Sequence, residues 1–307
     1  MDEMIVVGAG VIGLTTAVVL AERGVPVRVW ARETETAPRS GVPVSSVAGG
    51  LVWPYRIEPV EQALDWSIRS FRTFSWLSER YVETGVRLMP GTMDDGTTPP
   101  ARWTELVGDP PRTALVDMGH YLGYLTGRLT AAGGTLERHA LHSLREAGQR
   151  APVVVNCSGL GARELVPDPT VRPVRGQLLV VENPGLDRWY VSADPVSALT
   201  TYMFPQPYGL VLGGTAEEDQ EFAGPDPAVS RRILERCVEV EPRLAGARVL
   251  DERVGLRPSR PSVRLECERL PDGALCLHQY GHGGAGVTVS WGSARDALAL
   301  LEAEGVL

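Results

Sequence analysis

A glycine-rich stretch near the N-terminus constrains the fold of this chain more than any other feature. Gly8, Gly10 and Gly13 are spaced as G-x-G-x-x-G. A short apolar run from Met4 to Val7 precedes them, and a helical pattern that reaches Arg23 follows. In this context the glycines allow a tight turn, close approach of the backbone to a pyrophosphate and close helix–strand packing. Free N–H groups at the start of the helix then face the phosphates, so the pattern predicts a dinucleotide site.

The end of the next apolar run leaves the kind of dinucleotide open. Val25 to Trp30 indicates a second strand, and an acidic residue is expected about 20 residues after the glycines to bind a ribose hydroxyl. Here Arg32 comes first and Glu33 follows it. An arginine at this place favours a phosphorylated ribose and hence NADP, whereas Glu33 suits the ribose of a flavin nucleotide. The local motif fits both.

Composition excludes several classes of protein. The chain has 307 residues, of which 43% are hydrophobic and 22% charged, as in an ordinary globular protein of one large or two moderate domains. A net charge of −8 argues against nucleic acid or an anionic membrane as partner. No apolar run approaches the ~20 residues of a membrane helix, and no signal-like leader precedes the first motif.

The cysteines indicate a reducing compartment and no metal site. They form no C-x-x-C pair and have no histidine at zinc spacing, so we interpret them as free thiols: Cys157, Cys237, Cys267 and Cys276. Together with the missing leader, this predicts a cytoplasmic protein.

Two further runs of small residues lie where a ligand is expected. Arg39 to Tyr55 is rich in glycine, serine and proline, which lets the backbone lie flat against a ligand. Val153 to Val155 indicates a buried parallel strand that leads into Asn156-Cys157-Ser158-Gly159. Because open α/β sheets bind ligands at the carboxyl edge of their strands, we expect this turn to lie beside the first motif.

The middle of the chain predicts a second, largely antiparallel layer. Thr200 to Phe204 and Leu210 to Leu212 alternate as two strands around a turn. Helical patterns cover Glu61 to Thr84, Pro227 to Val240 and a segment that Asp117 caps, His120 to Ala132.

Two dense motifs occupy the last third. The first holds three arginines among prolines, and arginine presents a planar fork that binds a carboxylate with two hydrogen bonds. We interpret Arg257 and Arg260 as ion-paired structural residues, and the residues alone leave the role of Arg264 open. The second motif, His278 to Val289, is a glycine-rich turn that opens a C-terminal helix to about Leu301. A second helix start of this kind suits FAD, whose flavin ring gains negative charge on reduction.

With these motifs in place, the chain resembles the D-amino-acid oxidase family of FAD enzymes over nearly its whole length. The Arg264 motif and the glycine run after His282 are the most specific parts of this resemblance. It is carried by Gly8 to Leu14, Val47 to Leu51, Asp65-Trp66, Val155 to Gly159, Arg175 to Gln177, Gly255 to Glu266 and Tyr280 to Gly286.

The resemblance implies a role for individual residues. Arg264 and Tyr202 would bind the substrate carboxylate, and the carbonyl of Gly284 would accept from the substrate amine. Ala198 stands where some relatives have a second tyrosine. The residues assigned to FAD are Gly8, Ala9, Gly10, Val11, Ile12, Gly13, Arg32, Glu33, Ser45, Ser46, Gly49, Gly50, Leu51, Leu141, Ser158, Gly159, Arg264, Gly283, Gly284, Ala285, Gly286, Val287 and Thr288.

The implied fold is α/β, with a Rossmann-like FAD-binding domain and a substrate domain built on a mixed, largely antiparallel β-sheet. The predicted FAD-binding domain comprises residues 1–52, 118–182 and 250–307, and the substrate domain residues 53–117 and 183–249. The implied activity is FAD-dependent oxidation of neutral or apolar D-amino acids to 2-oxo acids, ammonia and hydrogen peroxide. The expected partners are the amino acid, dioxygen and a second copy in a homodimer.

Three alternatives stay open. A D-aspartate oxidase shares most of these motifs and should show an additional arginine or histidine near the substrate. A glycine or sarcosine oxidase shares the N-terminal motif. A non-enzymatic NADP-binding module is favoured by Arg32 alone, and the second glycine-rich helix start argues against it.

Overall fold

The strands form one mixed sheet in a computed structural model of the protein, which describes residues 2–32, 43–94, 96, 99–193, 199–222 and 224–307. Thirteen strands lie within these residues. They are β1 (Met4–Val7), β2 (Val27–Ala31), β3 (Val86–Asp94), β4 (Arg112–Val116), β5 (Thr135–Arg138), β6 (Val153–Asn156), β7 (Arg172–Val181), β8 (Trp189–Ala193), β9 (Leu199–Gln206), β10 (Gly209–Thr215), β11 (Glu217–Glu218), β12 (Val249–Arg269) and β13 (Leu275–His282).

Helices connect the strands and pack on the sheet. Within the described residues they are α1 (Val11–Ala21), α2 (Val44–Val47), α3 (Val60–Ser78), α4 (Tyr81–Thr84), α5 (Ala101–Val107), α6 (Met118–Ala131), α7 (Leu144–Gly148), α8 (Ala162–Leu165), α9 (Pro227–Val240) and α10 (Gly286–Ala303). Single 3₁₀ turns cover Gly159–Gly161 and Pro242–Leu244.

One half of the sheet is parallel, with the strand order β5-β2-β1-β6-β13. Met4 lies opposite Val27 on one side and Val153 on the other. All four residues of β1 and of β6 are buried, as expected for parallel strands covered on both faces. This half is the predicted Rossmann-like unit.

The other half is largely antiparallel. From β13 the sheet continues through β12, β7, β10, β9 and β8, with antiparallel pairing at each step. β8 then pairs in parallel with β3, and β4 closes that edge. β9 and β10 form the predicted hairpin, with Tyr202 opposite Gly213. The predicted mixed α/β class is therefore confirmed.

Element boundaries differ from the predictions at informative places. α1 begins at Val11, so Gly13 lies inside the helix and its missing Cβ leaves room for the carbonyl of Gly8. The helix predicted to run from Glu61 to Thr84 ends at Ser78, and α4 follows as a separate turn. The cap at Asp117 is confirmed, since its carboxylate accepts from the backbone N–H of His120 at 3.3 Å.

The predicted domain boundaries stay a prediction, because the sheet runs continuously through both parts. β7 and β12 lie in segments assigned to the FAD-binding domain and pair with each other along ten positions, from Val249–Val181 to Ser259–Arg172. They therefore connect the parallel half to the antiparallel half.

The described part of the chain contains no helix with the length and apolar character needed to cross a membrane. Across the same residues, no group of three His, Cys, Asp or Glu side chains is placed to hold a metal ion. All four cysteines are free thiols, as predicted.

Candidate active site

A pocket of about 630 Å³ lies where the two halves of the sheet meet, a volume typical of a ligand site. One wall is a face of the antiparallel sheet, because alternate residues of neighbouring strands line it. They are Val191 and Ala193 on β8, Thr200, Tyr202 and Phe204 on β9, Val174, Gly176 and Leu178 on β7, and Gly255, Arg257 and Ser259 on β12. The opposite side is formed by the starts of two helices.

The first helix start is held by the N-terminal glycine motif. Gly8 has a φ of 110°, and a Cβ there would lie 2.5 Å from the carbonyl oxygen of Cys157, at the end of β6. Only glycine fits this approach. The hydroxyl of Ser45 accepts from the backbone N–H of Val11 at 3.0 Å, so the small-residue segment lies directly at the start of α1.

The end of β6 lies beside this turn, at the predicted carboxyl edge of the sheet. Asn156 accepts from the backbone N–H of Ser158 at 3.2 Å. The hydroxyl of Ser158 is buried and has no hydrogen-bond partner within the described residues. A buried polar atom without a partner is uncommon, and here it fits a polar ligand along the edge of β1 and β6. Arg32 also reaches this edge, since a Cβ on Gly161 would lie 3.9 Å from its Nη2.

The second helix start belongs to α10. Gly283 to Val287 line the pocket, and Ala285 caps the helix. Thr288 fixes this turn to the loop before α3, because its hydroxyl donates to the carbonyl of Trp53 and accepts from the N–H of Trp53, both at 3.1 Å. His282, the last residue of β13, is buried, and burial lowers the pKa of its imidazole to about 3.

Arg257 lies in the pocket and is not the ion-paired structural residue that we predicted. Its Nη1 donates to the carbonyl of Thr215 at 2.9 Å. Among the described residues no carboxylate lies within ion-pairing distance of its guanidinium. A Cβ on Gly176 would overlap that guanidinium, which therefore lies flat over the backbone of β7. An arginine held in this way offers its fork to a carboxylate ligand.

Tyr202 shares the same wall. Its ring stacks on Phe204, with centroids 4.6 Å apart and planes 9° from parallel. A Cβ on Gly214 would lie 2.8 Å from the hydroxyl oxygen, so the ring and hydroxyl cover the glycines of β10. Burial raises the pKa of Tyr202, against the opposing effect of the nearby positive charge of Arg257. The side chain is thus a neutral hydroxyl beside a cation.

Arg264 does not reach the pocket, which corrects its predicted role in binding substrate and FAD. It forms ion pairs with Glu266 at 2.6 Å and Glu268 at 2.8 Å, and donates to the hydroxyl of Tyr280 at 2.9 Å. Its side chain is 15% exposed. With two carboxylates on its fork, the guanidinium has no free edge for a ligand, and these contacts stabilise the β12–β13 pair.

The sequence did contain a signal for this difference. Glu266 and Glu268 follow Arg264 by two and four positions, so all three share one face of a strand. Arg257 has Ser259 and Pro261 at the equivalent places, neither of which can form an ion pair with it. The ion-paired role predicted for Arg260 is confirmed by its contact of 3.0 Å with Asp168.

The other predicted residues fall into three groups. Those that line the pocket are Val11, Ser45, Gly49, Gly50, Leu51, Gly283, Gly284, Ala285, Gly286, Val287 and Thr288. Those in the adjoining turns and first helical turns are Gly8, Ala9, Gly10, Ile12, Gly13, Arg32, Ser46, Ser158 and Gly159. Leu141 packs with the cluster around Trp30, apart from the pocket lining. Glu33 and Ala198 lie outside the described residues.

Several pocket residues were not predicted, among them Met93 on β3, Arg56 before α3 and Glu218 on β11. Arg56 and Glu218 are exposed and carry opposite charges. Nothing in their local sequence marks them, because Met93 and Glu218 reach the pocket through long-range strand pairing and Arg56 reaches it from the loop before α3.

Two glycine-rich helix starts that open on one pocket define the class of protein, a flavin-dinucleotide enzyme of the Rossmann type. Comparison with known proteins agrees. The chain belongs to the DAO family of FAD dependent oxidoreductases, whose family model matches residues 3–300. The predicted family and the FAD cofactor are therefore confirmed.

Individual relatives cover almost the whole chain. A D-amino-acid oxidase of Streptomyces coelicolor is 54% identical and covers 97% of this chain and 96% of its own. A D-amino-acid oxidase of Rubrobacter xylanophilus is 47% identical over 96% and 94% of the two chains. The glycine oxidase of Bacillus cereus has the same fold, with a TM-score of 0.78, 18% identity and coverage of 99% and 98%.

Proposed function

We propose that this protein oxidises D-amino acids with FAD, producing a 2-oxo acid, ammonia and hydrogen peroxide. The observation that carries the proposal is the pair Arg257 and Tyr202 on the pocket wall facing the helix starts. The two relatives at 54% and 47% identity bear the name of this activity.

Residues of both glycine motifs would hold FAD. The starts of α1 and α10 present backbone N–H groups, and the unpartnered hydroxyl of Ser158 provides a further polar contact. When bound, FAD supplies the redox chemistry, accepting the electrons removed from the α-carbon and passing them to dioxygen.

The residues of this chain position the substrate. The fork of Arg257 binds the α-carboxylate with two charge-assisted hydrogen bonds, and the hydroxyl of Tyr202 donates a third. The carbonyl of Gly284, in the turn before α10, accepts from the amine. With the carboxylate and the amine held by these contacts and the side chain received by the pocket wall, only one enantiomer directs its α-hydrogen toward the cofactor.

The pocket wall favours neutral and apolar side chains. Val191, Ala193, Phe204 and Met93 line it beyond Tyr202. A site for a short diacid needs a second cation close to Arg257, and the additional arginine of the pocket, Arg56, is exposed. The D-aspartate oxidase alternative and the glycine oxidase alternative are thereby less favoured.

A substrate panel tests the proposal. The purified protein should show the visible absorption of an oxidised flavin and lose it when an apolar D-amino acid is added without oxygen. With oxygen, peroxide should form from D-valine, D-methionine or D-alanine, and the matching L-amino acids serve as controls. A protein that binds NADP and no flavin, or one that oxidises only L-amino acids, would contradict the proposal.

Location and assembly belong to the same proposal. Four free thiols support a cytoplasmic location, and a homodimer is expected from the family resemblance. Sedimentation of the FAD-loaded protein tests the second statement, since a monomer at micromolar concentration would contradict it.

A further inference from the structure

The pocket carries one carboxylate that no residue of the described chain neutralises. Glu218 lies on β11, is exposed and lines the pocket. Neither an ion pair nor a side-chain hydrogen bond to Glu218 occurs within the described residues. Its acidic neighbours differ from it in this respect, since each is paired: Glu217 with Arg175 at 2.7 Å, Asp219 with Arg172 at 3.0 Å and Glu221 with Arg163 at 2.6 Å.

Strand alternation explains why Glu218 points to the pocket. Glu217 lies opposite Arg175 and pairs with its buried guanidinium, on the face of β7 that is turned away from the pocket. Successive residues of a strand point to opposite faces, so Glu218 lies on the pocket face. The residue opposite it, Val174, lines the pocket too.

The same valine lies between Glu218 and Arg257. Arg257 is the partner of Val174 on the other side of β7, and both pairs are antiparallel. Directly opposite residues share a face, so the side chains of Glu218, Val174 and Arg257 form one row across three strands. With neighbouring strands about 4.8 Å apart, the Cα atoms at the ends of this row are roughly 10 Å apart.

We propose that Glu218 binds the positively charged end of a long D-amino acid side chain, which makes D-lysine and its homologues substrates of this enzyme. The inference rests on the proposed function, in which Arg257 binds the α-carboxylate. The four-carbon side chain of lysine is flexible and long enough to extend along the row. Val174 contacts its methylene groups, and the ammonium meets the carboxylate at the solvent-exposed end.

Arg56 is the competing charge on the pocket wall. Its guanidinium lies 5.0 Å from the centroid of the Tyr55 ring and is engaged there. If Arg56 determined the preference for the end of the side chain, a distal carboxylate would bind better than a distal ammonium. The experiment therefore compares both charges with a neutral reference.

Binding is measured first, by calorimetry on the FAD-loaded protein with three acids that cannot be oxidised. 6-Aminohexanoate has the carboxylate and terminal ammonium of lysine, hexanoate lacks the ammonium, and adipate has a second carboxylate. A partly exposed ion pair gives a preference of up to about fivefold for 6-aminohexanoate over hexanoate. Glu218→Gln should abolish that preference. Asp219→Asn removes the same charge from the next residue, whose carboxylate is paired with Arg172 and does not line the pocket, and should retain the preference.

Kinetics give the second readout. The kcat/KM ratio of D-lysine to D-norleucine, which differ in the terminal ammonium, should fall about fivefold in Glu218→Gln and stay unchanged in Asp219→Asn. Because the pair is partly exposed, added salt should lower the ratio in the wild-type protein and have little effect in Glu218→Gln.

The outcomes separate this inference from the function beneath it. Equal binding of hexanoate and 6-aminohexanoate, or a preference that survives in Glu218→Gln, would overturn the role of Glu218 while D-norleucine is still oxidised. If adipate bound most tightly of the three acids, the role of Glu218 would also be overturned, and Arg56 would be the residue that recognises the end of the side chain. Failure of every carboxylate to bind, with no D-amino acid oxidised, would overturn the proposed function itself.

Discussion

The guanidinium of Arg257 lies flat over the backbone of Gly176, at a place where a Cβ would overlap it. Gly176 belongs to β7 and lies opposite Gly255 of β12, two residues before Arg257. The arginine that we propose to bind the substrate carboxylate is thus positioned over the missing side chain of Gly176. The hydrogen bond from Nη1 to Thr215 fixes its direction.

The first prediction follows from this contact. In Gly176→Ala the new methyl group displaces the fork of Arg257, and misplacement of a binding group by about 1 Å costs on the order of 100-fold in rate. We expect kcat/KM for apolar D-amino acids to fall by that order while FAD stays bound. Gly127→Ala is the control, because nothing lies within 4 Å of a Cβ there. Wild-type kinetics in Gly176→Ala would show that the arginine is not held by this glycine.

The second prediction concerns the unpartnered hydroxyl of Ser158. If FAD supplies its missing partner, Ser158→Ala loses one hydrogen bond of about 0.5–1.5 kcal/mol in the complex, or roughly a two- to tenfold weaker Kd. The protein without FAD should be as stable as the wild type, because it has no such bond to lose. Titration of that protein with FAD, followed by flavin fluorescence, measures the change. An unaltered Kd together with a lower Tm of the FAD-free protein would assign the hydroxyl a structural role.

The third prediction is a loss of stability in mild acid. Burial lowers the pKa of His282 to about 3 in the folded protein, whereas an unfolded histidine has a pKa of about 6.5. Between these values the unfolded chain binds a proton that the folded chain does not. The contribution of His282 to the free energy of unfolding is therefore complete above about pH 6.5. It declines toward pH 3, by up to about 1.4 kcal/mol per pH unit.

Burial also lowers the pKa of His278, so this histidine adds to the loss of stability in mild acid. The pKa of Asp168 is lowered too, by the hydrogen bonds from Thr170, Tyr280 and Arg260 that outweigh the opposing effect of its burial. The stabilising contribution of the Asp168 carboxylate is therefore lost only when the pH falls below the ordinary pKa of an aspartate. Urea unfolding of the FAD-free protein at pH 7 and pH 5 should therefore give a smaller difference for His282→Asn than for the wild type. Equal differences would contradict this assignment.

Most of the fold could be predicted because its signals are local. The spacing of Gly8, Gly10 and Gly13, the apolar runs of β1 and β6 and the alternation of β9 each specify an element from a few neighbouring residues. The glycine run after His282 predicted the second helix start for the same reason.

The arrangement of side chains in the site depends on long-range pairing, which a single sequence does not show. Arg257 reaches the pocket because β12 pairs with β7, about 80 residues earlier in the chain, and because Gly176 lies beneath it. A register shift between Ser259 and Arg264 separates the two arginines along β12. From the family resemblance we therefore chose Arg264 among the three arginines of this motif, and not Arg257. Glu266 and Glu268 already indicated in the sequence that Arg264 is paired.

The central claim is that Arg257, and not Arg264, binds the carboxylate of the substrate. The most direct measurement compares kcat/KM for one apolar D-amino acid in Arg257→Ala, Arg257→Lys and Arg264→Ala, with FAD content and Tm taken on the same preparations. Removing one partner of a buried charge pair costs ~2–5 kcal/mol, or roughly 30- to several-thousand-fold. Arg257→Ala should lose that much and keep its FAD, and Arg257→Lys should recover part of it because the charge remains without the fork. Arg264→Ala should keep kcat/KM within about threefold and melt at a lower temperature, since it leaves Glu266 unpaired and Glu268 with His278 as its partner. A protein that tolerates Arg257→Ala and loses its activity toward D-amino acids in Arg264→Ala would contradict the account.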